Sequence, residues 1–348
     1  MKGFVRNPFR RQLTPPFLEA LWALTGAASQ NWWKDLLSCT FTDLTGRPQP
    51  LFLAVRRNYL SFYAEGQAVC EVRWNAAARQ PYARIHHKFV IRDAVGQDHL
   101  TLLGRSVTNR AGQEVAAYED TGTLRSWIEQ AQTYAALTNP LEAAEKKGVA
   151  AVIARNPNVI DVEMGLPRNA PEAAGARRID IVALEAHGDA IRLAFYEAKS
   201  FPNGDLRRQA GDAEVLAQLE HYRAWLHSAG RAEEVIRAMR EACRLHEAFA
   251  QMRAGGRGRP GLLDDLVRRA GQPDAPLVLD HGIRLIVMGS APRLESWPKH
   301  EAKLRQAGLD GARLVWMKDL QITAERQVAD PSADLSLPSS TDGSQPAR

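Results

Sequence analysis

Asp180, Glu197 and Lys199 stand among apolar residues in the stretch RRIDIVALEAHGDAIRLAFYEAKS, residues 177–200. Gly188-Asp189 between two alternating runs reads as a two-residue hairpin turn. That turn sets His187 opposite Ala190, and the same register sets Asp180 opposite Glu197. Because side chains alternate with period two, one face carries Val182, Leu184, Ile191, Leu193 and Phe195 and ends in Asp180, Glu197 and Lys199. The other face carries Ile179, Ile181, Ala183, Ala194 and Tyr196. Two carboxylates directly opposite each other destabilise a sheet. Lys199 offsets that repulsion only in part, so the pair calls for a cation between the carboxylates, a metal ion first of all.

The elements around the hairpin must hold these groups. TGTLRSWIEQAQTYAAL, residues 121–137, reads as a helix, and Asn139-Pro140 starts another, with Asn as N-cap and Pro at the first helical position. VIDVEMGL reads as a strand, followed by a loop at 167–177 and the hairpin. Helices over 212–228 and 231–252, an Arg/Gly loop, a strand at IRLIVMG, a helix near 294–307 and a strand at ARLVWM complete the order. The helix after the hairpin contains QLEHY, which puts Gln218 and Tyr222 on one face. Val215, Leu219 and Leu226 share that face, so it points inward. On the helix before the sheet, Glu145 shares a face with Leu141, Val149 and Val152, whereas Glu142 falls nearer the solvent edge.

This order, with Asp180 followed after sixteen residues by Glu197-Ala198-Lys199, resembles the PD-(D/E)XK nuclease superfamily. The Q-x-x-x-Y spacing resembles its RecB-like branch. The resemblance covers roughly residues 138–318, and Ile179 stands where the family's nominal proline would be. It implies an α/β restriction-endonuclease-like core, a mixed central sheet flanked by helices, and phosphodiester hydrolysis dependent on Mg²⁺ (or Mn²⁺). DNA is the first substrate expected, in a defence or repair setting, with RNA left open. Asp180, Glu197 and the Ala198 carbonyl would be the metal ligands, joined by Glu145. Lys199 would orient or deprotonate the attacking water and offset developing charge. Gln218 and Tyr222 would position the backbone or brace Lys199. The alternative is a catalytically silent nuclease-fold protein that binds nucleic acid or a protein partner. The two opposed carboxylates argue against it. A homo-oligomer or a partner protein stays open.

Composition bounds the rest. The 348 residues are 45% hydrophobic and 24% charged, ordinary for a globular protein of one large or two smaller domains. No apolar run reaches the ~18 residues of a membrane span, and the basic start lacks the apolar stretch of a signal peptide. Cys39, Cys70 and Cys243 are far apart and odd in number, which favours a reducing cytoplasm and argues against structural zinc. Net charge is only +5, yet residues 46–92 hold eight Lys/Arg against two acids, and Lys2, Arg6, Arg10 and Arg11 add to it. Such concentration fits a polyanion partner. The phosphate-contact candidates are Arg56, Arg57, Arg73, Arg84 and Lys88, with Arg177 and Arg178 flanking the site.

Residues 1–120 read as a basic, mainly β substrate-binding domain, 121–327 as the nuclease domain, and the Ser/Pro/Asp-rich 328–348 as a disordered tail. His86 and His87 are expected on opposite faces of a strand, which does not suit two ligands of one metal. AGGRGRPG lacks the lysine-serine pair of a nucleotide cradle, and no G-x-S-x-G occurs for serine hydrolysis.

Overall fold

The computed structural model describes residues 8–43, 46–91, 98–138, 140–166, 178–207, 211–255, 263–289, 297–309 and 311–316, which form a mixed α/β structure. Helix α1 (Pro15–Gly26) opens on prolines, and α2 (Trp32–Ser38) is capped by the Asn31 side chain, which accepts from the Trp33 and Lys34 N–H groups. Strands β1 (Thr40–Thr42) and β2 (Pro48–Pro50) form a small ribbon. Then come β3 (Phe52–Val55), β4 (Tyr59–Ala64), β5 (Gln67–Asn75), β6 (Gln80–His86), the single turn α3 (His87–Val90), β7 (His99–Leu103), β8 (Ser106–Thr108) and β9 (Glu114–Ala117). Strands β3 to β9 make one antiparallel sheet in chain order. Its buried face, with Leu60, Phe62, Val72 and Leu102, packs on Phe17 of α1, Trp33 of α2, and Trp127, Ile128 and Ala131 of α4 (Thr121–Thr138). Helix α4, expected in the second domain, packs into the first core. The expectation for His86 and His87 is also corrected. The strand ends at His86, whose Nδ1 accepts from the Lys88 N–H to cap α3, and the two rings stack with centroids 4.9 Å apart.

The second core begins with α5 (Pro140–Arg155) and continues through β10 (Val159–Gly165), β11 (Arg178–His187), β12 (Ala190–Ser200), α6 (Glu214–His227), α7 (Arg231–Arg253), α8 (Asp265–Ala270), β13 (Leu277–Leu279), β14 (Arg284–Met288), α9 (Trp297–Gln306) and β15 (Leu314–Trp316). The sheet order is β10-β11-β12-β14-β15, with β13 also pairing β12. Strands β10, β11 and β12 are antiparallel, and β12, β14 and β15 run parallel. The β11–β12 register runs from His187↔Ala190 to Ile181↔Tyr196, as the turn dictates. Gly188 supplies the left-handed φ of 57° needed there.

Both faces of this sheet are buried. Val182, Leu193 and Phe195 meet Leu219 and Trp225 of α6 and Met239 of α7, while Ile181, Ala194 and Tyr196 meet Val152 of α5 and Ala54 and Tyr63 of the first sheet. Ile179 departs from alternation and joins the first of these clusters, opposite Met164 of β10. Helix α7 serves both cores: Val235, Met239 and Cys243 pack in the second, Leu245, Phe249 and Met252 in the first.

Contacts at Asp161 and at Gly66 help to fix the cores to each other. Asp161 of β10 is 1% exposed and takes Arg11 Nε at 2.8 Å on one oxygen and Arg56 Nη1 on the other. At the β4–β5 turn, Glu65 and Gly66 have φ of 47° and 74°, as a type I′ turn requires. A Cβ on Gly66 would lie 2.2 Å from the Lys146 carbonyl oxygen in α5. Gly66→Ala combines that backbone clash with a left-handed cost of roughly 1–2 kcal/mol. A urea melt should show a loss larger than that cost alone. An unchanged midpoint would mean that α5 does not press on the turn.

No helix among the described residues is long and apolar enough to cross a membrane. The three cysteines are unpaired.

Candidate active site

The β11–β12 ladder opens where the carboxylates begin. Its last paired residues are Ile181 and Tyr196, and one step further Asp180 Oδ2 accepts the Ala198 N–H at 2.8 Å. Meanwhile β12 pairs in parallel with β14 from Tyr196 to Ser200. In an extended residue the N–H and C=O point to the same edge, so the Ala198 carbonyl also faces Asp180's side. Glu197, 1% exposed, accepts from Lys199 Nζ at 3.0 Å and from Gln218 Nε2 at 2.5 Å, both on Oε1. Its other oxygen, Oε2, is buried with no hydrogen-bond partner among the described residues.

Gln218 also donates to the Tyr222 hydroxyl at 2.6 Å, and that hydroxyl donates to the Arg178 carbonyl at 2.6 Å. The four-residue spacing on α6 thus ties Glu197 to the start of β11, with Leu219 and Leu226 anchoring the helix below. Gln218 and Tyr222, expected to position the backbone or brace Lys199, hold Glu197 and the strand rather than the lysine.

The electrostatics follow from this crowding. Burial, then the charge of Glu197, pushes the Asp180 carboxyl well above its usual 3.8, against the opposing pull of the Ala198 N–H and Lys199. Burial also raises Glu197, with Lys199 opposing. Burial would lower Lys199, but Glu197, Asp180 and Glu145 outweigh it and push the ammonium up to about 12. Lys199 also lies 3.4 Å from Asp205 Oδ2.

Glu145 occupies the edge of this group. Its Oε1 accepts from the Ser200 N–H at 3.0 Å, the Ser200 hydroxyl at 3.3 Å and Asn203 Nδ2 at 2.5 Å. It therefore braces the turn after β12, and its charge raises the proton affinity of Asp180 and Glu197. Glu142 pairs with Lys146 at 2.7 Å on the solvent side. Among the described residues no group of three or more His, Cys, Asp or Glu side chains is placed to hold a metal ion. The carboxylates of Asp180 and Glu197 lie close enough to raise the proton affinity of Asp180.

Asp205, Ser200 and Asn203 were not singled out from the sequence. The available signal was the turn Pro202-Asn203-Gly204 just past E-x-K, where Asn203 accepts the Asp205 N–H at 2.8 Å.

The basic candidates separate. Arg56 is withdrawn from phosphate contact: it is 6% exposed and spent on Asp161, the Tyr63 hydroxyl and the Val162 carbonyl. Arg57 is exposed. Arg73 and Arg84 converge on Glu71 at 2.8 and 3.3 Å, with Arg73 over the Tyr59 ring. Lys88 donates to the Tyr134 hydroxyl at 2.7 Å. Arg178, exposed at the site's edge, pairs with Glu163 at 3.0 Å. Arg177, Asn139, the tail at 328–348 and most of the Arg/Gly loop lie outside the described residues. Compared with known proteins, the chain matches no family model, no curated protein and no solved structure.

Proposed function

We propose that this chain is a metal-dependent nuclease of the PD-(D/E)XK kind, hydrolysing phosphodiester bonds, in DNA first. The observation that carries the reading is the ladder opened by Asp180 beside a buried Glu197 oxygen with no donor. A buried unpartnered carboxylate oxygen is costly, and a cation is what it lacks. The donor set fits Mg²⁺ or Mn²⁺, hard ions that take a few carboxylate and carbonyl oxygens and keep several waters. Asp180, Glu197 Oε2 and the Ala198 carbonyl would hold the ion. Glu145, spent on Ser200 and Asn203, would brace the turn beside it. When bound, the ion would neutralise phosphate charge and lower the pKa of a coordinated water.

The remaining roles fall to the chain. Lys199, held cationic by Glu197 and Asp180, orients the attacking water and offsets charge on the phosphorane. Gln218 fixes the rotamer of Glu197, and Tyr222 fixes the start of β11. The sheet order and its covering helices support a restriction-endonuclease-like core, and the lack of paired cysteines accords with a cytoplasmic setting. Incubating the protein with linear and circular single- and double-stranded DNA and with RNA, in Mg²⁺ and in EDTA, tests the reading. Cleavage in Mg²⁺ alone, lost in Lys199→Met, is expected. Binding without cleavage of any substrate would leave the silent nuclease fold.

The basic surface needs a test that leaves the fold intact. Removing residues 1–120 would strip Asp161 and α7 of their partners, so Arg57, Arg73, Arg84 and Lys88 are better changed together to Gln. Affinity for nucleic acid should then fall less steeply with salt, the log–log slope dropping by ~0.9 for each phosphate that is no longer neutralised. An unchanged slope would assign these charges to solubility.

A further inference from the structure

Helices α5 and α7 and strand β3 line a partly open cavity of about 510 Å³, within the size range of small-molecule sites. None of its lining residues belongs to the Asp180–Glu197 site. Leu51, Ile153, Phe249 and Val267 give it apolar walls. Its polar side chains are matched by protein partners, with one exception. Glu65 pairs with Lys147 at 3.7 Å, Asn156 donates to the Val152 carbonyl at 2.6 Å, and the His246 ring bonds the Ile160 carbonyl at 2.9 Å.

The exception is Arg253. It follows His246, Phe249 and Ala250 along one face of α7, and it donates to the Leu51 carbonyl at 2.9 Å. Among the described residues no carboxylate lies within ion-pair reach of it. Arg253 is exposed and lines the cavity. A guanidinium with no carboxylate partner beside an apolar chamber can recognise one kind of molecule.

We infer that this cavity binds an amphipathic carboxylate, its acid group forked onto Arg253 and its apolar body against Leu51, Ile153, Phe249 and Val267. A planar guanidinium meets a carboxylate with two parallel hydrogen bonds. The inference stands apart from the nuclease reading, since neither the site nor its residues overlap.

Calorimetry on the full chain with dodecanoate and with dodecanol, both below micelle-forming concentration, tests it. Dodecanoate should bind more tightly by about tenfold or more, the worth of a charge-assisted hydrogen bond. Arg253→Gln should erase that preference while leaving dodecanol binding in place, and Arg253→Lys should keep part of it. Ala250→Trp, which narrows the chamber, should weaken both. Equal binding of acid and alcohol, binding of neither, or a preference that survives Arg253→Gln would overturn the inference.

Discussion

Asp161→Ala is expected to destabilise the protein by roughly 3–5 kcal/mol, because it leaves two buried guanidinium groups without their counter-charge. Arg11 and Arg56 are each 6% exposed, so water cannot take over the role of the carboxylate. Replacing all three residues together, Arg11→Met, Arg56→Met and Asp161→Leu, should recover most of the loss, since an apolar cluster of similar volume avoids the desolvation of three charges. Burial alone would raise the Asp161 carboxyl, but Arg11 and Arg56 hold it below its usual 3.8. A carboxyl depressed in the folded state contributes stability above its unfolded value and loses it as pH falls through the folded one. The wild type should therefore lose part of its acid-side stability at this site, and Asp161→Ala should lack that part. Urea melts at neutral and acid pH measure both effects. A neutral-pH loss within ordinary surface scatter, about 0.5 kcal/mol, would sink the idea of a clamp.

Asp180→Asn should act in the opposite direction. The Asp180 carboxyl is raised by burial and by Glu197, so its folded value lies above its unfolded one. Its contribution is full below the unfolded pKa and is lost as pH rises through the folded value. At neutral pH without metal the wild type thus carries a repulsion that Lys199 offsets only in part. The Asn variant should melt at an equal or higher temperature while losing cleavage. Mg²⁺ at a hundredfold excess over its dissociation constant should stabilise the wild type by ~2.7 kcal/mol, and the variant far less. Acidifying the metal-free wild type from neutral pH towards the usual carboxylate range should narrow its gap to the variant. A large loss in the metal-free variant, with no Mg²⁺ response in the wild type, would identify Asp180 as the partner of a structural ion pair with Lys199.

The hairpin was legible because its information is local. Gly188-Asp189 fixes the turn, period two fixes the faces, and the observed pairs from His187↔Ala190 to Ile181↔Tyr196 follow. The opening after Ile181 was not legible, since it depends on β12 leaving β11 to pair with β14, far along the chain. The helix spacing of Gln218 and Tyr222 could be read, but not that Gln218 reaches Glu197 rather than Lys199, which rests on rotamers. Arg56 looked like a surface cation because its partner, Asp161, is 105 residues away on another strand. Helix α4 was placed in the wrong core for the same reason. An amphipathic pattern says that a face is buried, not which sheet buries it.

Helix α7 runs for 23 residues, about 35 Å at 1.5 Å per residue. Its first turns sit in one core and its last turns in the other, with no break between. Helical hydrogen bonding propagates from residue to residue, so unravelling either end withdraws apolar anchors from the opposite sheet. The consequence is cooperativity on the scale of the whole chain: the two sheets, although separate in hydrogen bonding, melt as one unit, and calorimetric and van't Hoff enthalpies of unfolding should agree.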